Sequence, residues 1–223
     1  MREFDFSYLE DPNIFKINRL EARSDHNYYK DLKEANEKKS SFKMDLNGVW
    51  KFNYSQNLNG VINNFYEEDY DVESWDNIKV PGHIQLQGYD KPHYVNTMYS
   101  WDGHDDILPP SIPKRYNPVG CYVKEFEISS DFNGKPLYIS FKGVESAFYI
   151  WLNGKFIGYS EDSFTPADFD LSSFYKKGKN KLAVMVVKFS SGSWLEDQDF
   201  WRFSGIFRDV YLYTIPQTHI EDI

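Results

Sequence analysis

The sequence predicts an all-β protein built as one antiparallel β-sandwich. Three observations carry that expectation. Apolar residues recur with a period of two from Leu46 onward, an Asn-Gly pair separates two such runs, and strand segments follow one another closely with no second long helical pattern.

Taken in order, the first 45 residues stand apart. They hold the charged stretch Lys30-Asp31-Leu32-Lys33-Glu34-Ala35-Asn36-Glu37-Lys38-Lys39 and little alternation, which predicts an extended arm with one short polar helix around residues 27–38. In Val49-Trp50-Lys51-Phe52-Asn53-Tyr54 the three aromatics share one face, as in a half-buried strand. Residues 101–118 read as a long irregular loop, acidic at its start and rich in Pro, and loops of that length are commonly functional or covered by a partner. Strands are expected at Tyr122–Ile128, Leu137–Phe141 and Asp209–Thr214. The hairpin Ala147–Tyr159 turns at Asn153-Gly154, because both residues tolerate the positive φ of a type I′ turn. Within 168–180, Asp170 can cap a single helical turn that Gly178 ends. Leu182-Ala183-Val184-Met185-Val186-Val187 is apolar on both faces, as a central strand must be. The expected division is an arm over 1–45, the sandwich over 46–216 and the start of a linker over 217–223.

Composition excludes several classes. A single Cys among 223 residues rules out an intrachain disulfide framework, no apolar run of membrane-spanning length occurs, and no secretory signal is visible at Met1-Arg2-Glu3-Phe4-Asp5-Phe6. A cytoplasmic location is expected. The net charge of −9 repels phosphate backbones, so no nucleic-acid or membrane partner is expected. With 18 Phe, 17 Tyr and 6 Trp, 18% of the chain is aromatic, which suits a sandwich core or a platform for sugar rings.

Phosphate loops, paired zinc cysteines, H-E-x-x-H and the G-x-S-x-G elbow are absent. Cys121 reads as a small buried apolar residue. Asp102, His104, Asp105 and Asp106 lack the spacing of an EF-hand and resemble a divalent site only loosely. The densest constellation is Trp194-Leu195-Glu196-Asp197-Gln198-Asp199-Phe200-Trp201. Its carboxylates and amide suit sugar hydroxyls and its aromatics suit an apolar ring face, while a solvated acidic turn paired to Arg202 or Arg208 satisfies the same residues. A second polar-aromatic patch is His93-Tyr94-Val95-Asn96-Thr97-Met98-Tyr99-Ser100-Trp101, where Asn96 could equally satisfy its own turn.

These runs carry a resemblance. Trp194–Val210 is similar to the signature near the end of the N-terminal sugar-binding domain of glycoside hydrolase family 2, in its β-galactosidase branch. Asn18-Arg19-Leu20, Leu46–Phe52, Val80–Asp90, Tyr94–Thr97, Pro118–Tyr122, Phe141–Phe148 and Trp151–Gly154 match in order, so the likeness covers nearly the whole chain.

The resemblance implies a galactose-binding-like jelly-roll β-sandwich with an extended N-terminal arm, followed in the family by immunoglobulin-like and TIM-barrel domains. The family's two catalytic glutamates lie on the barrel, which alone takes about 250 residues. Asn36-Glu37, superficially like the acid/base motif, lies in the charged arm and is set aside. No catalytic residue is therefore expected in this chain, which alone should be inactive. Its implied role is to complete the galactose pocket of a retaining enzyme that hydrolyses terminal β-galactosides, and to support assembly with the barrel. Asn96 matches an asparagine that hydrogen-bonds galactosyl hydroxyls, and Asp199 an aspartate that contacts the galactose and helps ligate Na⁺. Mg²⁺ is expected only in the catalytic portion. The family's peripheral magnesium site is not expected here, because Glu161 and Ser191 occupy two of its positions and Tyr8–Pro12 departs from its arm pattern. The full-length form is expected to be a homo-oligomer. The alternatives are a stand-alone carbohydrate-binding module, an assembly domain of a two-subunit galactosidase, and a member acting on a glucuronide or mannoside.

Overall fold

The structure, a computed structural model, describes residues 3–24, 26–128, 132, 134–196 and 198–222. Asp197 and the last position of the expected linker, Ile223, lie outside the described residues. The strands are β1 (Lys16–Ile17), β2 (Lys43–Asp45), β3 (Gly48–Ser55), β4 (Asp76–Val80), β5 (His93–Val95), β6 (Val119–Glu127), β7 (Tyr138–Phe141) and β8 (Val144–Glu145). There follow β9 (Ala147–Leu152), β10 (Lys155–Ser160), β11 (Ala167–Asp170), β12 (Lys179–Val187), β13 (Phe200–Arg202), β14 (Gly205–Ile206) and β15 (Val210–Tyr213).

Seven strands form the large sheet in the order β1-β10-β9-β12-β6-β3-β4, and four form the facing sheet in the order β11-β7-β15-β2. Pairing is antiparallel throughout, and non-consecutive neighbours mark a wound sandwich rather than a meander. β12 lies between β6 and β9, the central place its two-faced apolar pattern predicts.

The large sheet is buried on both faces. One face, with Phe52, Phe148, Ile150 and Val184, packs against Ile139, Phe141, Phe169 and Leu212 of the smaller sheet. The other, with Cys121, Tyr149, Trp151 and Met185, is covered by Tyr8, Leu9 and Ile17 of the arm together with Phe65 and Trp75. Phe148 and Trp151 thus pack on opposite sides of one strand, as period two requires, and only the first sits between the sheets.

The arm is more than a polar extension. Asp5 caps a 3-10 turn over Phe6–Glu10, and β1 adds to the sheet edge beside β10. Gly158 permits that approach, since a Cβ there would lie 2.4 Å from the Ile17 carbonyl oxygen. The polar helix is α1 (Leu32–Glu37), six residues long, capped by Asp31 and closed by Lys38 in the left-handed conformation. At the hairpin, Asn153 and Gly154 hold φ of 51° and 78°, the signs of a type I′ turn. Residues 171–174 form a hydrogen-bonded turn, without a helix, whose start Asp170 caps through Ser172 N–H. Cys121 lies inside β6, two residues from its start, because pairing with β12 extends back to Val119.

Candidate functional site

Beside the sandwich, β5 and β13 form a separate two-stranded ribbon. Its register pairs His93 with Arg202, Tyr94 with Trp201 and Val95 with Phe200. Beyond the last pair, Asn96 follows Val95 and Asp199 precedes Phe200, so both sit at the same end of the ribbon. The ribbon therefore brings together two positions separated by more than a hundred residues of sequence.

Asp199, immediately before the first residue of β13, adopts φ 53°, a left-handed conformation that Asp tolerates better than most residues. Both Asn96 and Asp199 are exposed. The Tyr94 hydroxyl donates to Oδ1 of Asp199. That contact runs diagonally across the ribbon, a distance that only aromatic and long side chains span. It also raises the Tyr94 phenol above its ordinary range. The Trp201 ring lies 5.6 Å from that of Tyr94, and each residue is 49% exposed. Among the described residues Asn96 makes no side-chain hydrogen bond to its own turn, so its amide faces outward with both functions unused.

A buried polar network holds this ribbon to the sandwich. Backbone bonds from Gly82 N–H to Ile206 and from Ile84 N–H to Ser204 lay the segment after Val80 alongside the segment after β13. Gln85 clamps the same place, accepting from Ser204 N–H at 3.0 Å and donating to Ser204 Oγ and Asp90 Oδ2 at 2.8 Å each. Asp90 pairs with Lys188 at 2.7 Å, with side chains 2% and 0% exposed. Tyr116 donates to the other oxygen of Asp90. Burial works to raise the Asp90 carboxyl, but Lys188, Tyr116 and Gln85 outweigh it and hold it below the ordinary carboxylate range. Burial also lowers His93 at the ribbon's base, with Lys188 adding to the effect, and this favours the neutral ring.

The aromatics near the ribbon divide. Trp194 packs against Tyr99 and Trp101 at 4.6 and 4.8 Å and donates its indole N–H to Ser111 carbonyl oxygen at 2.9 Å. It braces the 101–118 loop, whereas Trp201 stays open. The loop's acids serve the chain itself: Asp102 accepts from Tyr99 N–H at 2.8 Å and Asp105 lies 3.6 Å from Arg115. Arg208 is exposed and, among the described residues, not paired to the acidic run; it lies over Phe164 and Phe207 and donates to the Phe164 carbonyl oxygen at 2.8 Å. Glu161 is buried, accepts from Tyr159 and Ser190 hydroxyls at 2.5 and 3.0 Å, and is pushed upward by burial. Cys121 is buried and unpaired, with its thiol pushed well up by burial.

Among the described residues no three His, Cys, Asp or Glu side chains gather as a metal centre. For sodium, this chain fits as the source of one ligand. Oδ2 of Asp199 carries no hydrogen bond among the described residues, is exposed, and is a hard oxygen of the kind that cation takes.

The sequence pattern places Tyr94 and Trp201 in its two polar-aromatic patches as ring-face candidates, and does not single out Gln85, Asp90 or Lys188. The Asp90–Lys188 pair carried no signal, because its partners lie 98 residues apart.

A family model described as "Glycosyl hydrolases family 2, sugar binding domain" matches residues 43–216. A β-galactosidase of Halalkalibacterium halodurans is 60% identical over 97% of this chain, which spans 22% of that protein. A β-galactosidase of Clostridium acetobutylicum is 56% identical over 97% of the chain and 24% of its own length. A β-galactosidase large subunit of Latilactobacillus sakei is 46% identical over 98% of the chain and 37% of its own length. Among solved structures, a Bacteroides uniformis β-glucuronidase superposes with a TM-score of 0.59 at 22% identity, covering 78% of this chain and 18% of that one. That last likeness is one of fold.

Proposed function

This chain belongs to glycosyl hydrolase family 2, as its sugar binding domain, and from that premise we propose that it forms one wall of the galactose site of a β-galactosidase. The chain spans about a fifth of the length of the first relatives it matches, and the hydrolytic carboxylates belong to the remainder of such an enzyme. The observation that carries this reading is the ribbon itself: pairing of Val95 with Phe200 leaves the neighbouring Asn96 and Asp199 at one exposed end of it.

In this reading Asn96 donates and accepts at sugar hydroxyls, and the Asp199 carboxylate accepts from one. When Na⁺ is bound, it supplies a fixed positive charge beside the sugar, with Asp199 as this chain's ligand. The two residues orient the galactosyl ring so that attack and protonation occur on the catalytic portion, in the manner of retaining enzymes. Exposure of both side chains is the expected state of a half-site whose other wall lies on another part of the enzyme.

The test is Asp199→Ala and Asn96→Ala in the full-length enzyme, with o-nitrophenyl β-galactoside as substrate. Turnover should fall at least about a hundredfold for Asp199→Ala, given the cost of leaving a polar site group unpaired. Near-normal activity in both variants rejects the reading. The similarity to large subunits supports a second arrangement, in which the chain belongs to the larger component of a two-subunit enzyme. Co-purification with a smaller chain distinguishes it.

A further inference from the structure

We propose that Tyr94 is a positioning residue that divides the Asp199 carboxylate between structure and ligand, tying down Oδ1 and presenting Oδ2. The inference rests on the sugar-site reading above and concerns how that site is held in shape.

Three observations carry it. First, the Tyr94 hydroxyl donates to Oδ1 of Asp199, and the same carboxylate has no other hydrogen bond among the described residues. A carboxylate at a turn is otherwise free to rotate about its terminal torsion, which is broad and roughly two-fold. Fixing one oxygen fixes where the other points. Second, the phenol is itself held. Tyr94 lies directly across the ribbon from Trp201, whose ring is tilted at 53° to it with centroids 5.6 Å apart, and Trp201 is backed in turn by Phe203 at 6.1 Å. Third, the arrangement has no evident role in folding. Tyr94, Trp201 and Asp199 are all exposed, outside both clusters of the core, and an exposed hydrogen bond between them adds little to stability. An ordered, charged hydrogen bond on an open surface is explained by what it aims at.

The chemistry follows from the inventory of each group. A carboxylate only accepts, so each oxygen can serve one strong donor or one cation without competition. With Oδ1 occupied by the phenol, a sugar hydroxyl or a hard cation meets Oδ2 at a set angle. Pre-orientation of this kind raises affinity by reducing the freedom lost on binding.

The experiment uses the full-length enzyme, with o-nitrophenyl β-galactoside as substrate and galactose as inhibitor. Tyr94→Phe should raise KM and the galactose inhibition constant about tenfold, as for loss of a hydrogen bond to a charged group. It should change kcat less than about twofold and leave the thermal midpoint unmoved. In an Asp199→Ala background the same substitution should add nothing, because the interaction it removes is already gone. Trp201→Ala should reproduce part of the effect and Trp201→Phe should restore it. If Tyr94→Phe leaves KM and inhibition unchanged while Asp199→Ala is crippled, or if the two effects simply add, the positioning role is overturned and the sugar site stands. If Asp199→Ala is itself near normal, the sugar-site reading fails and takes the positioning role with it.

Discussion

The sandwich and the ribbon are held together by different physics. In the sandwich, long paired strands bury continuous apolar faces, and a one-residue slip would turn every core side chain toward solvent. In the ribbon, two three-residue strands bury almost nothing of their own. Their placement depends on Gln85, Asp90, Lys188 and Tyr116, a buried polar network at the join. The difference teaches how an exposed group is held in place: the sandwich fixes its strands by apolar burial, while the polar join positions the ribbon's carboxylate without burying it.

The sharpest way to break the comparison is to remove one member of each region. Lys188→Met leaves the Asp90 charge buried without its counter-ion and should cost about 3–5 kcal/mol in urea unfolding of the chain, whereas Lys188→Met with Asp90→Asn, which removes the charge, keeps an acceptor for the Gln85 and Tyr116 donors and tolerates φ 57°, should recover much of it. Trp151→Ala, in the arm-covered face, should cost a similar ~3–5 kcal/mol, but no second truncation should restore it. Rescue by a partner substitution thus separates a polar join from an apolar core.

Next in size is the arm. Leu9→Ala should cost about 2–5 kcal/mol if the arm is part of the core that the packing describes. A loss under ~0.5 kcal/mol would show the arm to be detachable.

The pH dependence sharpens the polar side. The folded state holds Asp90 below its unfolded pKa of about 3.9, so its contribution is complete above that pH and is lost as pH falls through the folded value. Glu161 works in the opposite sense: burial raises it, so its charged form opposes folding at neutral pH and that penalty fades on acidification. Urea titrations across the acid range should therefore show a shallower acid loss for Asp90→Asn than for the parent, and a steeper one for Glu161→Gln.

The smallest stability effects mark the edges. Gly154→Ala, at φ 78°, should cost about 1 kcal/mol by straining the hairpin. A core-sized loss there would mean that the hairpin turn organises the sheet rather than joining it.

Much of the sandwich was legible because period two reports burial directly. Trp50 and Phe52 alternate with Lys51, and Asn153-Gly154 carries its turn in its own φ preferences. Asn96 and Asp199 enter as candidates only through resemblance, since each alone reads equally well as a turn residue. The join was not legible. Gln85 meets Ser204 across 119 residues, and a polar residue gives no periodic sign of being inside. The packing of the arm was not legible for a related reason: its charged helix dominates the pattern, while its buried contacts come from isolated residues such as Tyr8, Leu9 and Ile17.

The single cysteine lies on the arm-covered face of the large sheet, inside β6 and paired across to Met185. Its burial makes it an internal clock. A thiol reagent reaches Cys121 only when the covering layer lifts or the whole sheet opens, so its labelling rate reads the opening frequency at one known depth. Compared with global unfolding of the same chain, that rate reports whether the arm departs by itself or with everything beneath it.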